Sequence, residues 1–353
     1  MNRVHYHEKS YDPKKHWTLK SIAKELGVSN ATVSNAFNRP DQLSKSRRES
    51  ILLACKELGY FGPNKAAQSL RRGKFNIVAL VLPDSIEYMV SDPVASSFMR
   101  GVASILEKNN INLLLFSGNS QNLNSVLDFV DGFICYGRPR NQSLVDQLKI
   151  VPKHVVTVDF DIDRNASVNI DNEQASYEVA KHVLKSSADQ VAILGLRLLD
   201  ENVLCRVYEH HECEAGQSIA HQRLRGYQKA LSEVNITLGD DRTWNIPESS
   251  ERYASIAAKE ALNCIPRPNV LLCMSDLIAL AAIREAVKIG IKIPQELRIV
   301  GFDGIDEAQR SMPTLTTIHQ NSEEKGSLAA NLFISKEEQK ALINYQLQLG
   351  HSG

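Results

Sequence analysis

Asn30, Ala31 and Asn35 are the residues whose type and spacing first suggest a chemistry. Short amide and methyl side chains at the start of a helix have the reach and the hydrogen-bonding pattern to read base edges in the major groove of DNA. They stand in the stretch Leu26-Gly27-Val28-Ser29-Asn30-Ala31-Thr32-Val33-Ser34-Asn35. Common enzyme signatures are missing: there is no Gly-rich phosphate loop after the first strand-like run, no G-x-S-x-G elbow and no H-E-x-x-H pair. Cys205, His210, His211 and Cys213 cluster in a polar segment, but their spacing matches no common structural zinc site, so no metal is expected there. The six cysteines form no C-x-x-C pair, and buried free thiols are their expected state.

A helix-turn-helix has to hold those side chains. Ile22, Ala23 and Leu26 predict a short amphipathic helix ending at Gly27, whose tolerance of positive φ suits a tight turn. Ser29 is placed to cap a second helix with Val33 and Phe37 on its buried side. Any small three-helix bundle shares this outline, so the stretch alone leaves both readings open. After the break at Arg39-Pro40-Asp41, Ser44 or Ser46 is expected to start a third helix that closes the core with Ile51, Ala54 and Leu58 and ends at Gly59. Pro63 and Gly73 bracket one further helix of two turns, too short to be stable unless something packs on it. Residues 1–16 are polar and aperiodic and read as a flexible arm.

The formal charge of zero conceals an asymmetry. Residues 1–75 carry 15 Lys+Arg against 6 Asp+Glu, whereas residues 76–353 carry 26 against 35. The first fifth of the chain therefore suits a polyanion and the remainder does not. No apolar run of signal-peptide length opens the sequence, and runs such as Ile77 to Leu82 are too short to cross a membrane, so a cytoplasmic protein without a membrane partner is expected.

From Asn76 onward short apolar runs alternate with helical periodicity. Strands are predicted at 77–82, 112–116, 132–136, 154–158, 190–194, 270–273 and 298–302, with helices at 98–108, 173–185, 222–233, 253–262, 277–288 and 323–333. This alternation means α/β architecture with parallel sheets, and about 280 residues suit two lobes better than one. Ligands of open α/β sheets bind at the carboxyl ends of strands, which makes a cleft between the lobes the expected pocket.

Taken in order, Thr18-Leu19-Lys20-Ser21-Ile22-Ala23, Ala31-Thr32-Val33-Ser34, Glu57-Leu58-Gly59-Tyr60, Pro63 to Leu70, Asp131-Gly132-Phe133-Ile134, Arg223 to Tyr227, Met274-Ser275-Asp276, Val300 to Asp303 and Leu315 to Gln320 resemble the lactose-repressor and galactose-repressor (LacI/GalR) family of bacterial transcription regulators. The resemblance covers nearly the whole chain from Trp17. It implies a helix-turn-helix headpiece (17–62), a hinge helix and linker (63–75), and a bilobed, periplasmic-binding-protein-like core of two doubly wound parallel sheets (76–353). The N-lobe is expected at about 76–171 and 304–333, and the C-lobe at about 172–303 and 334–353. It also implies a homodimer that reads a pseudo-palindromic operator in double-stranded DNA, more a repressor than an activator and not an enzyme, without cofactor. A small effector would control it from between the lobes. An α/β enzyme or a cytoplasmic sugar-binding protein using the same cleft is the competing reading.

Carried over residue by residue, the resemblance sets Asn30, Ala31 and Asn35 against bases and Ser29, Thr32, Ser34, Asn38, Ser44 and Ser46 against phosphates. Asn64, Ala67, Gln68 and Leu70 would lie in the minor groove, with Leu70 wedged into a base step and Arg71, Arg72 and Lys74 adding salt-dependent affinity. A core contact is the other reading of Leu70. Two departures stand out: Asn35 replaces an Arg common in relatives, which shifts the expected base from guanine to adenine, and Phe61-Gly62-Pro63 is one residue longer than the lactose repressor's linker. Effector positions map onto Asp92, Val94, Tyr136, Asp159, Arg223, Asp276 and Gln320, with Asp84 and Asp303 nearby. Carboxylates beside an Arg grip vicinal hydroxyls, which favours a sugar or nucleoside. Asp303 could instead only shape a turn, and Asp276 only cap the helix it opens. Residues 197–221, with Arg197, Arg206, His210 and His211, are expected to form a long loop at the cleft mouth.

Overall fold

The computed structural model describes residues 17–63, 73–162, 165–199, 201–208 and 218–353. The arm, the hinge residues Asn64, Ala67, Gln68 and Leu70, and His210, His211 and Cys213 fall outside the described residues. The chain divides into two compact units, one up to Phe75 and one from Asn76.

The first unit holds α1 (Leu19–Glu25), α2 (Asn30–Asn38), a single 3-10 turn (Pro40–Gln42) and α3 (Lys45–Glu57). Its three helices begin at hydroxyl caps. Thr18 and Ser21 form a reciprocal capping box, Ser29 Oγ accepts from Thr32 N–H at 3.0 Å, and Ser44 Oγ accepts from Arg47 N–H. Ile22, Val33, Ala36 and Cys55 are completely buried, and the half-buried Phe37 meets Tyr60 edge-on at 5.7 Å. Gly27 sits at φ +64°, the left-handed region that the turn between α1 and α2 requires.

The second unit runs β1 (Ile77–Val81), α4 (Ile86–Ser91), α5 (Pro93–Lys108), β2 (Asn112–Phe116), α6 (Asn124–Leu127), β3 (Gly132–Tyr136), α7 (Gln142–Ile150), β4 (His154–Val158), β5 (Ala166–Asn169), α8 (Asn172–Val183), β6 (Val191–Leu196) and β7 (Cys205–Arg206). It continues with α9 (Ile219–Glu233), β8 (Thr243–Ile246), α10 (Glu251–Leu262), β9 (Val270–Cys273), α11 (Asp276–Lys288), β10 (Arg298–Val300), α12 (Asp306–Arg310), β11 (Thr317–His319), α13 (Ser322–Ser335), β12 (Lys340–Leu342) and β13 (Gln346–Gln348). The N-lobe sheet has the order β12-β5-β4-β3-β1-β2 and is parallel throughout. The C-lobe sheet has the order β10-β9-β6-β8-β7 and is parallel except for the short edge strand β7. Central strands are buried on both faces, which explains why β1, β3 and β9 read as unbroken apolar runs rather than alternating ones.

The lobe boundaries lie elsewhere than the sequence suggests. Ile305, Ala308 and Leu315 pack in the C-lobe core, so the chain does not leave that lobe at 304. It crosses at β11, returns to the N-lobe as α13 and β12, and crosses again to place β13 on β11 and Ser352 against Ile299 and Thr316. The reason is pairing: β12 completes the open edge of β5, and its three-residue, largely exposed sequence is too short to give an apolar pattern. Segment 197–221 is also not a plain loop, since it contributes β7 and opens α9.

A buried ion pair ties α8 to the edge of the C-lobe sheet. Arg298 donates to Asp189 Oδ1 at 2.6 Å and to the Val183 carbonyl, both side chains being over nine-tenths buried. Burial pushes the Asp189 carboxyl up, but Arg298 and the N–H groups of Lys185 and Ser186 outweigh it and hold the group below its ordinary value. Replacing Arg298 by Met should therefore cost roughly 3–5 kcal/mol in urea unfolding at neutral pH, because it leaves a buried carboxylate unpaired. A carboxyl held low stabilises the folded state above its unfolded pKa and loses that contribution on acidification, so the gap between wild type and R298M should close below about pH 4.

Candidate functional site

On the headpiece, α2 presents the residues singled out by the sequence. Ser29, Asn30, Ala31 and Asn38 are exposed, whereas Thr32, Ser34 and Asn35 are half-buried on the same short helix. Val33 and Ala36 face the core, so the polar positions between them form one solvent-facing stripe. Ser44 and Ser46 are exposed at the N-terminus of α3, where free backbone N–H groups and the helix dipole suit a phosphate. Arg48 Nε donates to the Ala36 carbonyl at 2.9 Å and ties α3 to the last turn of α2. The arrangement is a rigid helix start carrying small polar groups on a basic unit.

In the core, strands from both sheets end on one cavity of about 800 Å³. Pro83 follows β1, Tyr136 ends β3, Asp159 follows β4, Arg197 follows β6, Met274 follows β9 and Asp303 follows β10, and each lines it. Asp92, Val94, Tyr136, Asp159, Arg223 and Gln320 are brought together on its wall. Asp92 accepts from the Ala95 N–H at 2.8 Å as the cap of α5, and burial raises its carboxyl. Tyr136 stacks on Phe98 with ring centres 4.4 Å apart. Arg223 lies 3.6 Å over the Phe302 ring, donates to Asn172 Oδ1 at 3.0 Å and to the Met274 carbonyl at 2.6 Å, and faces Asp303 at 3.6 Å.

Asp276 behaves differently. It does not line the cavity and is completely buried, with Oδ1 taking the Thr317 hydroxyl at 2.5 Å and Oδ2 taking the N–H groups of Gly304 and Ile305 at 2.7 and 2.9 Å. Burial pushes this carboxyl up to about 6. Nor does it cap its helix, since Ser275 occupies that position. Its geometry is that of a clamp on the 303–305 turn. Asp303 does more than shape that turn: held at φ +132°, it lines the cavity, accepts from Gln320 Nε2 at 2.7 Å, and is raised by burial.

Sequence reading named Asp84 and Arg197 but not their pairing, and it missed Tyr88, Arg140 and Ser249, which join the lobes, and Lys325, which supports the wall. Asp84 of the N-lobe takes Arg197 of the C-lobe at 2.6 Å, Arg140 reaches the Pro247 carbonyl at 3.1 Å, and Tyr88 Oη accepts from Ser249 N–H at 2.9 Å. Burial raises the Asp84 carboxyl, and Ser85 N–H with the Arg197 and Arg140 guanidinia bring it below its ordinary value. Lys325, 1% exposed, donates to Asp159 Oδ1 and Gln320 Oε1, each at 2.7 Å. Its signal in the sequence was a lone lysine on the face of α13 that also carries Ala329 and Ala330. The tertiary pairings across the cleft left no local signal.

Among the described residues no group of three or more His, Cys, Asp or Glu side chains is placed to hold a metal ion, and no helix is long and apolar enough to cross a membrane. Cys55, Cys135, Cys264 and Cys273 are buried free thiols, and Cys205 is a half-buried one.

Residues 18–64 match the model of the bacterial regulatory proteins of the lacI family, and residues 180–344 match a periplasmic binding protein-like domain. An HTH-type transcriptional regulator of Mycobacterium tuberculosis is 35% identical over 333 residues, 91% of each chain. The HTH-type transcriptional repressor CytR of Escherichia coli is 27% identical over 330 residues, 90% of this chain and 89% of CytR. Among solved structures, the lac repressor dimer bound to operator and the anti-inducer ONPF superposes with a TM-score of 0.71 at 20% identity, covering 96% of this chain and 99% of that one. The CelR–cellobiose complex gives 0.63 at 22% identity, covering 96% and 100%. A helix-turn-helix with an exposed polar stripe, a two-lobed core closing on a polar cavity, and this degree of likeness to named regulators have one common meaning: the chain belongs to the LacI family of DNA-binding transcriptional regulators.

Proposed function

We propose that this regulator acts as a homodimeric repressor on a pseudo-palindromic operator, and that an uncharged, hydroxyl-rich effector of the sugar or nucleoside class in the core cavity sets its operator affinity. The observation that carries the reading is the cavity wall itself, where Asp92, Asp159 and Asp303 line the same cavity as Arg223. Carboxylates accept the hydrogens of vicinal hydroxyls, while a guanidinium donates to ring or hydroxyl oxygens. Contacts from both lobes give a ligand the means to favour the closed arrangement, and only such a difference in affinity can shift the regulator between states. The lac repressor structure, a dimer on operator, and the cellobiose complex of CelR are consistent with this reading. Named relatives are regulators rather than enzymes or transport receptors, which weighs against those uses of the cleft.

In the DNA-bound state Asn30, Ala31 and Asn35 meet bases and the Ser and Thr hydroxyls of α2 and α3 meet phosphates, while Asn64 to Leu70 supply the minor-groove element. Support for the base readers is their stripe on α2. Replacing Asn35 by Ala should cost about 1–3 kcal/mol of specific operator affinity with nonspecific affinity unchanged, measured by gel shift on operator and scrambled duplexes. An equal loss on both would remove Asn35 from base reading.

Replacing Arg223 by Lys keeps the charge but loses the planar fork that Asn172 and Met274 hold. Operator binding without effector should stay within twofold of wild type, while the effector concentration for half-maximal response rises at least tenfold. A thermal-shift screen of sugars, nucleosides and purines supplies the effector, because a ligand of the folded state raises Tm by mass action. No stabilisation by any hydroxylated compound would sink the effector class.

A further inference from the structure

The cavity wall depends on Lys325, which sits behind it. This lysine lies in the first turn of α13, and its neighbour Gly326 lets α13 press against α5: a Cβ there would lie 2.1 Å from the Phe98 carbonyl oxygen. The backbone therefore has little room to carry the lysine out of its seat. Burial pushes the ammonium below its ordinary value, and Asp159 opposes that shift. Apolar side chains in place of both Lys325 and Asp159 would avoid desolvating either charge, so stability is a weak reason for an ion pair here.

Its contacts fix two residues that do line the cavity. Gln320 Oε1 is taken by Lys325 and Gln320 Nε2 donates to Asp303 Oδ1, both at 2.7 Å, so the amide cannot exchange its ends without losing both bonds. One Nε2–H is left over. Asp159 gives Oδ1 to Lys325, and its Oδ2 takes no hydrogen bond from the described residues. Both partners are held by the same Nζ, and both line the cavity. The wall thus offers an acceptor on Asp159 and a donor on Gln320. Hydroxyls satisfy both kinds of group, since each donates one hydrogen and accepts another, whereas an anion would meet the charge of Asp159 and an ether would leave it unpaired.

We propose that Lys325 is the positioning residue of the effector site, holding Asp159 as acceptor and the Gln320 amide as donor so that the pair selects an alcohol hydroxyl on an uncharged ligand. The inference rests on the effector reading above and adds to it the residue and the group selected.

Two measurements on the full chain test it. The first needs no ligand: in proton–nitrogen NMR spectra the Gln320 side-chain amide, assigned through Gln320→Ala, should be protected from exchange in wild type and lose at least tenfold of that protection in Lys325→Met. The second titrates D-ribose, D-glucose, cellobiose and adenosine by thermal shift, with acetate and hypoxanthine as controls lacking an alcohol. At least one hydroxylated probe should stabilise wild type and neither control should. Lys325→Met should need at least tenfold more of that probe, Lys325→Gln should recover part of the loss, and ligand-free operator affinity should stay within twofold in both variants. Unchanged Gln320 protection, or equal probe affinity in Lys325→Met, overturns the positioning role and leaves the effector reading standing. Loss of operator binding in both variants marks a folding role and overturns it as well. Stabilisation by acetate, or by no hydroxylated probe, overturns the group assignment together with the effector reading, while the NMR result still reports on Lys325.

Discussion

Charge buried where the two lobes meet is the constraint on which the core depends. Asp159, Arg223, Asp276 and Lys325 are more than nine-tenths buried, and so is the Asp303 side chain. An ion withdrawn from water costs several kcal/mol unless the protein supplies its partners. Each of these groups is supplied: Lys325 pairs with Asp159, Gln320 bridges Lys325 to Asp303, Arg223 faces Asp303, and Asp276 is saturated by Thr317, Gly304 and Ile305. The partners come from β4, α13, the crossing strand and the end of β10, so the pairing depends on the packing of these elements against one another.

The same arithmetic explains why the cavity is polar and yet well formed. Parallel strands deliver their carboxyl ends to one side of each sheet, and there the chain turns out of the ladder with its side chains free. Two sheets facing each other by those ends enclose a space whose wall is loop and strand-end residues on rigid supports. Aspartates at such ends face the space, as Asp159 and Asp303 do, whereas Asp276, just past β9, turns back to hold a turn.

The headpiece uses a different economy. Its core is a handful of aliphatic side chains with Phe37 and Tyr60, and its helices are defined by hydroxyl caps rather than by extensive burial. Positive charge is concentrated in this unit and absent as a surplus from the core, so only the headpiece carries the charge balance that suits a polyanion.

Local rules carried the sequence reading far. The Gly27 turn, the Ser29 cap, the strands at 112–116, 132–136, 154–158 and 270–273 and the helices expected at 173–185, 222–233, 253–262, 277–288 and 323–333 were legible because periodicity and capping act within a few residues, whereas the short helices α6 (Asn124–Leu127) and α7 (Gln142–Ile150) had no predicted counterpart. Six of the seven expected effector positions line the one cavity, Tyr136, Asp159 and Gln320 from strand ends and Asp92, Val94 and Arg223 from helices. The strands β5, β8 and β12 were not legible, being short, polar or dependent on a neighbouring edge for their pairing. Sequence by itself determined the architecture, the capped reading helix and the charge division between the units. Tertiary structure alone decided that Asp276 clamps a turn instead of lining the cavity, that Arg197 reaches Asp84 across the lobes, and that Lys325, 166 residues from Asp159, supports the wall. Periodicity describes which face of an element is buried, whereas the partner of a buried charge is chosen by whatever element packs against that face, and no local pattern encodes it.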